Sequence, residues 1–360
     1  MEDAVSDTDS HSWRPARGGP VSVLVPLGDL SRVGEARRAA DAMARGCGLD
    51  ETARGTLGLV VTEAATNLAR HSRDGYILLR DTSPNERTGV EMLAVDRGPG
   101  MQDLDRFFAD GYSTGGTPGQ GLGAMKRQAD ELDVYSVPGQ GTVVLARVFS
   151  AASRKEEVPD AVLRVGAVCV PFDGETASGD GWCVEQEGDR AMVLLVDGLG
   201  HGPNAAAAAD EAIASFRAAA ARPPREVVAV MHEALRATRG AAVAVAEVRQ
   251  TDDGARVTFC GVGNTVTAIV GATAPLALPS MNGTAGLQIG KPQEFTQPFA
   301  PGAMMVMHTD GITTRWRLGS YPGVSSHDPA IVAALLHRDH TRPRDDSTVL
   351  ALALRPRRKT

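Results

Sequence analysis

Between Asp50 and His71 the apolar residues Leu57, Val60, Val61, Ala64, Ala65 and Leu68 recur at helical spacing and predict a packed face. On the same helix Glu63, Asn67 and His71 fall at i, i+4 and i+8, so an acid, an amide and an imidazole share one polar stripe. The surrounding pattern predicts a β-like run, "VSVLVPL", from Val21, and a first helix from about Asp29 to Cys47. "GYILLRDT" and "GVEMLAVDRG" read as paired strands, with "SPNERTG" as the turn between them. A glycine-rich segment over 111–123 leads into a helix near Leu122–Glu131, and "LDVYSVPGQGTVVLARVF" gives two short strands around a turn.

The next segment, "SAASRKEEVPD", combines small and charged residues and ends in proline, which marks a boundary between two blocks. Beyond it, "AVLRVGAVCVPF", "GWCVEQEGDRAMVLLVDG", "GAAVAVAEVRQ", "GARVTFCGVGNTVTAIVG", "AMMVMHTDGI" and "DDSTVLALALR" alternate or run apolar like sandwich strands. Helices are predicted in the alanine-rich stretch 203–221, in "PREVVAVMHEALRAT" and in "DPAIVAALLHRDH". The domain plan is therefore a disordered polar tail over 1–20, a first domain over 21–150, a linker over 151–160 and a second domain over 161–356. No solenoid-type repeat is present.

Composition narrows the classes without choosing among them. The chain has 360 residues, the length of about two ordinary domains, and 42% hydrophobic residues with only 4% aromatic, so its cores are aliphatic. A net charge of −7 argues against nucleic acid or an anionic membrane surface as partner. Cys47, Cys169, Cys183 and Cys260 are widely spaced, which fits a reduced cytoplasmic protein better than a disulfide scaffold or a zinc site. No apolar run approaches a membrane span, and no signal-peptide core is recognisable at the start.

The first block carries three polar elements in order, and no P-loop. Glu63, Asn67 and His71 come first. "DRGPGM" follows the strand "EMLAV", placing Asp96 at a strand end as an acceptor suited to an exocyclic amine. "GTPGQGLGAMKR" then runs a glycine loop into a helix N-terminus, where free N–H groups favour phosphate. Asn67 offers a hard oxygen for Mg²⁺ beside a triphosphate, and Glu63 is placed to polarise an attacking hydroxyl.

With "GQGTVV" behind them, these pieces resemble the N, G1 and G2 boxes of the GHKL ATPases over about Val21–Phe149. The segment "DGYSTGGTPGQGLGAMKRQADELDVYSVPGQGT" is most similar to the RsbT and RsbW type of serine/threonine switch kinase. The resemblance implies a Bergerat α/β sandwich that binds ATP and Mg²⁺, with Glu63 as base and Asn67 on magnesium. It further implies Asp96 on adenine with Gly98 and Gly100 beside it, Gly119, Gly121 and Gly123 facing phosphate, and Thr142 near adenine. His71 is expected to be structural.

The second block sets aspartates beside small residues at four separated points: Asp180 in "SGDGW", Asp197 in "LLVDGLGHG", Asp310 in "MHTDGI", and Asp345 and Asp346 in "RDDST". A lone Asp-Gly is an ordinary turn. Several carboxylates brought together repel unless hard divalent cations neutralise them, and two such cations can clamp a phosphoryl group. This order resembles the metal-dependent PPM (2C) protein phosphatases, in their SpoIIE-type branch, over about Ala161–Arg355. The resemblance implies an α-β-β-α sandwich and two Mn²⁺ or Mg²⁺ ions on Asp180, Asp197, the Gly198 carbonyl, Asp310 and Asp345, with Asp346 as the alternative to Asp345. Catalysis is then expected to centre on Asp197 and Asp310. His201 is either near phosphate or a loop polar residue, and "TRG" at Thr238–Gly240 and "GVGN" at Gly261–Asn264 also match that branch.

The expected whole is an α+β protein with a kinase half and a phosphatase half. Both halves would act on a STAS-domain anti-sigma antagonist or a stressosome scaffold protein, in a chain able to form a homodimer. The alternative is a phosphatase whose N-terminal domain only senses ATP or docks a partner. Glu63 weighs against that alternative, because pure binding needs no acid.

Overall fold

The computed structural model describes residues 19, 21–72, 74–82, 87–102, 121–155, 161–175, 177–251, 254–271 and 275–356. Most of the expected tail, residues 1–18 and 20, lies outside this set. Gly19 is described, and it donates its N–H to the carbonyl of Trp182 far along the chain (2.7 Å).

The first sheet has the order β1-β2-β3-β5-β4, built from β1 (Val23–Pro26), β2 (Tyr76–Asp81), β3 (Gly89–Val95), β4 (Glu131–Ser136) and β5 (Thr142–Phe149). Helices α1 (Val33–Gly46) and α2 (Glu51–His71) cover one face. Asp50 caps α2 by accepting from the Ala53 N–H (3.0 Å), so that helix starts where the sequence places an N-cap residue. A short α3 (Gly121–Gln128) packs beside α2.

An antiparallel sheet often leaves one face to water, but every residue of β3 and β5 is buried. The reason lies in the other half of the chain. There, two sheets pack face to face, in the orders β15-β10-β9-β8-β7 and β12-β11-β16-β17-β6. Their strands are β6 (Leu163–Val170), β7 (Asp180–Glu187), β8 (Arg190–Gly198), β9 (Ala241–Thr251), β10 (Gly254–Val262), β11 (Val266–Val270), β12 (Leu276–Leu278), β15 (Phe295–Phe299), β16 (Met304–His308) and β17 (Ser347–Leu354), with a small β13–β14 ribbon over 283–289. Trp182, Phe259, Phe299, Met305 and Leu350 lie in the core between the two sheets.

Helices α5 (Pro203–Ala219) and α6 (Pro224–Ala234) cover the outer face of the first of these sheets. The outer face of the second carries α7 (Pro329–His340). The fold is α+β, an α/β layer pair followed by an α-β-β-α sandwich.

Helix α7 is apolar all round in its sequence, "PAIVAALL", and Pro329 through Arg338 are all buried. One side meets Val168, Val306, Val349 and Ala351 of the sandwich. The other meets Leu78, Leu93, Val95, Tyr135, Val143 and Leu145 on the face of the N-terminal sheet that α1 and α2 leave open. Charged groups frame this apolar layer. Arg80 pairs with Glu91 (2.9 Å), Arg147 bridges Glu91 (2.7 Å) and the helix-capping Asp328 (3.0 Å), and Asp133 binds His327 (2.8 Å). Burial alone would raise the Asp328 pKa, but Arg147 outweighs it and holds the carboxyl below the usual range.

His337 faces Tyr76 inside this layer, and burial, reinforced by Arg97, pushes its imidazole down to about 4. Its folded pKa lies below the ordinary 6.5, so its share of stability is complete above about pH 6.5 and is lost as pH falls toward 4. Across pH 6.5 to 5 this amounts to about 2 kcal/mol. Melting curves at both pH values should therefore show a smaller decline for His337→Leu than for wild type; equal declines would place the acid sensitivity elsewhere.

The elements add to or differ from the expected ones at three points. The linker opens as a short helix, α4 (Ala151–Lys155), because the Ser150 hydroxyl accepts from Ser153 N–H (3.2 Å) and Arg154 pairs with Asp130 (2.8 Å). Glu131 begins β4 instead of ending a helix. Strands β12 to β15 were not expected, since "PLALPSMNGTAGLQIGKPQEFTQPF" is rich in glycine, proline and polar residues; β12 pairs with its neighbour β11 and β13 with β14, while β15 pairs with the more distant β10.

Candidate active sites

In the N-terminal half, the stripe on α2 meets the start of α3. A Cβ on Gly121 would lie 3.0 Å from the Asn67 amide nitrogen, so the glycine is what allows the helix start to approach that side chain. Glu63 and Asn67 are half-buried one turn apart, while His71 is exposed at the end of α2. Asp96 follows β3; its backbone N–H donates to Thr142 (3.0 Å) and its carboxylate accepts from the Gly98 N–H (2.5 Å). Burial raises the Asp96 pKa.

Two nearby glycines are forced by close approach. A Cβ on Gly100, which has φ +67°, would sit 2.2 Å from the Val137 carbonyl, and one on Gly141, at φ +81°, 2.1 Å from the Asp96 carbonyl. Thr142 is buried and shares a 2.9 Å hydrogen bond with Ser136, whose hydroxyl also accepts from Met101 N–H (2.8 Å). Gly123 is buried on α3, and Gly119 lies outside the described residues.

The second site forms where β7 begins beside the end of β8. Asp180 and Asp197 are cross-strand partners, so one register fixes both. Asp197, Asp310 and Asp345 line a single cleft together with Gly200, Asn264 and Thr284. Asp310 accepts from the Asn264 amide (2.6 Å). Asp180 sits behind them, buried, and accepts from the Thr309 hydroxyl (2.6 Å). Asp346 is occupied differently: its two oxygens accept from the Phe172 and Gly179 N–H groups (2.7 and 2.8 Å), which ties two loops together.

Gly198 packs against the start of α5, where a Cβ would meet the Ala205 carbonyl at 2.5 Å. His201 stands beside Glu175 (3.4 Å) and Phe172, and Arg239 reaches over Gly200.

The electrostatics follow from this crowding. Burial first, then the charges of Asp310 and Asp345, raise Asp197 to about 7. Asp180 is raised well above its ordinary value by burial and by Asp197, and Asp345 is raised by burial and by Asp310. Among the described residues no three acid, histidine or cysteine side chains are drawn tightly enough together to grip a metal ion as they stand. Oδ2 of Asp197 is nevertheless buried with no hydrogen-bond partner among those residues. An orphaned carboxylate oxygen among mutually repelling acids fits a hard divalent cation, which would satisfy the oxygen and neutralise the cluster.

Comparison with known proteins follows the same division. Residues 28–148 match the histidine kinase-like ATPase domain family, and residues 187–355 match the stage II sporulation protein E (SpoIIE) family. The serine/threonine-protein kinase RsbT of Bacillus subtilis is 31% identical over 111 residues, which cover 31% of this chain and 84% of RsbT. The chain carries an RsbT-type domain of the histidine kinase-like ATPase family, followed by a domain that matches the SpoIIE family.

An anti-sigma F factor of Caldanaerobacter subterraneus is 29% identical over 100 residues, covering 26% of this chain and 68% of that protein. Among solved structures, the phosphatase domain of SpoIIE from Bacillus subtilis with a fragment of its regulatory domain covers 78% of this chain and 82% of its own, at 14% identity and TM-score 0.46. RsbX in complex with magnesium covers 56% of this chain and 98% of its own, at 18% identity and TM-score 0.46.

Sequence reading overlooked three residues of these sites. Thr309, next to Asp310 in "HTDGI", holds Asp180. Gly141, in "GQGT", makes room for the Asp96 backbone. Arg338 on α7 donates to the Asp96 carbonyl (2.9 Å) across the two halves. The first two lay inside quoted motifs. Arg338 lies 242 residues from Asp96 and carries no local signal.

Proposed function

We propose that the SpoIIE-family half hydrolyses phosphoserine or phosphothreonine on a STAS-domain regulatory protein, and that the RsbT-type half binds ATP with Mg²⁺ and phosphorylates such a protein. The observation that carries the phosphatase reading is the buried, unpartnered Oδ2 of Asp197 in the cleft it shares with Asp310 and Asp345. Asp180, Asp197, the Gly198 carbonyl, Asp310 and Asp345 would hold two Mn²⁺ or Mg²⁺ ions. Asp346 is left to its two backbone bonds. Such ions supply charge neutralisation for the phosphoryl group and a water activated toward attack. In this reading Thr309 positions Asp180 and Asn264 positions Asp310, while Arg239 reaches toward the cleft as a cation for the ester oxygens.

In the N-terminal half, Asp96 would accept from the adenine amine, Asn67 would hold Mg²⁺ and Glu63 would take the proton of the attacking hydroxyl. Asp96→Asn should weaken ATP binding by about 1–3 kcal/mol, the scale of a hydrogen bond to a charged group. Titration calorimetry of the full chain with ATP and Mg²⁺ measures it; unchanged affinity would remove Asp96 from the pocket. Incubating the chain with ATP, Mn²⁺ and candidate STAS proteins, and following phosphate both onto and off the substrate, tests the whole reading.

A second reading, in which the ATPase half acts as a nucleotide sensor for the phosphatase, draws support from a particular set of bonds. The Asp96 carbonyl accepts from Arg338 of α7. At the end of that helix the His340 carbonyl accepts from Thr313 N–H (2.8 Å), and Arg342 N–H donates to Gly311 (2.7 Å), next to Asp310. A nucleotide that shifts Asp96 would be felt at Gly311, the residue next to a proposed metal ligand. Phosphatase turnover that changes with ATP in wild type, and does not in Arg338→Met, favours the sensor.

A further inference from the structure

Behind the apolar layer, at the edge of the seam between the two halves, lies a cavity of about 130 Å³ unrelated to either site above. Arg87 and Arg147 reach it from the N-terminal sheet, and Arg164 and Arg355 from the sandwich; Glu131 and Asp328 are its acids. Among the described residues, four guanidiniums thus face two carboxylates. Glu91, behind Arg147, does not redress the balance, because Arg80 is bound to it as well.

The two acids are already engaged with Arg147, at 2.8 and 3.0 Å. Arg87 instead lies over the Phe149 ring, 5.7 Å from its centre, and its Nε is buried without a hydrogen-bond partner among the described residues. Arg164 has no carboxylate within ion-pairing distance among the described residues, although its field reaches Asp328. Unmatched guanidinium N–H groups in a partly dry cavity are costly unless an anion meets them. A guanidinium fork matches the oxygens of a phosphoryl group better than a halide, and the two guanidiniums of Arg87 and Arg164 match a dianion. The volume has room for a phosphoryl group.

We propose that this seam cavity binds a phosphoryl dianion, as inorganic phosphate or as the head of a small phosphate monoester, between Arg87 of one half and Arg164 of the other. Bound there, the anion ties the two halves together and stabilises the docked arrangement.

The test uses the full chain, nucleotide-free and in EDTA, so that no divalent ion recruits phosphate to the aspartate cleft. Calorimetric titration with inorganic phosphate, and separately with phenyl phosphate, should show one site, and phosphate should raise the melting temperature while equal ionic strength of chloride does not. Arg164→Gln and Arg87→Gln should each weaken binding at least tenfold and remove most of the melting shift. The anion-free melting temperatures of the two variants show that they are folded. Binding of phosphate alone identifies the free ion as ligand, and binding of both probes identifies the monoester class; either supports the site. No binding at millimolar concentration overturns it. Equal binding by wild type and both variants overturns it too, as an adventitious ion only.

Discussion

Asp197→Asn is expected to eliminate measurable hydrolysis of a phosphoserine peptide in Mn²⁺ without unfolding the protein. Asp197 is raised to about 7 by burial and by Asp310 and Asp345, so in the metal-free chain its charge opposes the fold. An amide of the same shape relieves that repulsion and removes an anionic oxygen from the cleft. The variant should therefore melt no lower than wild type in EDTA, yet gain less from added Mn²⁺. Loss of the charge that positions metal and water should cost at least about 10²-fold in turnover. Retained hydrolysis would take Asp197 out of the reaction. A collapsed melting temperature in EDTA would instead make it a turn residue, required where β8 enters its glycine loop.

Glu63→Gln addresses the other half with an effect of comparable size. Glu63 stands one helical turn before Asn67, on the side of α2 that meets the start of α3. The glutamine keeps the volume and the hydrogen-bonding reach but cannot take up a proton. ATP affinity should be unchanged, while transfer of labelled phosphate to a STAS protein falls about 10²–10⁴-fold, the usual loss when a general base is removed. Equal transfer by both proteins would exclude Glu63 as the base. Absence of transfer by either, with ATP still bound, would assign this half to sensing or docking.

Several features of these sites were legible in the sequence because local chemistry dictates them. The stripe on α2 follows from helical periodicity, and Asp96 and Asp197 stand out because each ends an apolar strand and opens a glycine turn. Asp345 and Asp346, by contrast, cannot be told apart from "RDDST", since their roles depend on which oxygen meets the N–H groups of Phe172 and Gly179, more than 160 residues away. The same holds for α7. Its all-apolar sequence announces a buried helix, but which surfaces bury it depends on a sheet face some 200 positions earlier in the chain, and the alternation of β3 and β5 does not say what covers that face. Arg338 and the arginines of the seam escaped notice for that reason: charges that meet only through docking leave no spacing to read.

The position of α7 also limits how separable the two halves are. Cutting the connection between Lys155 and Ala161 would not free an intact N-terminal module, because one wall of its sheet belongs to residues 329–340. A fragment ending at Lys155 would expose Leu78, Leu93, Val95, Tyr135, Val143 and Leu145 to water and be prone to self-association. A nicked chain would keep its two pieces together through gel filtration. Despite its two family signatures, this polypeptide would melt as one cooperative body, and exchanging either half for a homologue would require the new partner to bring a matching wall.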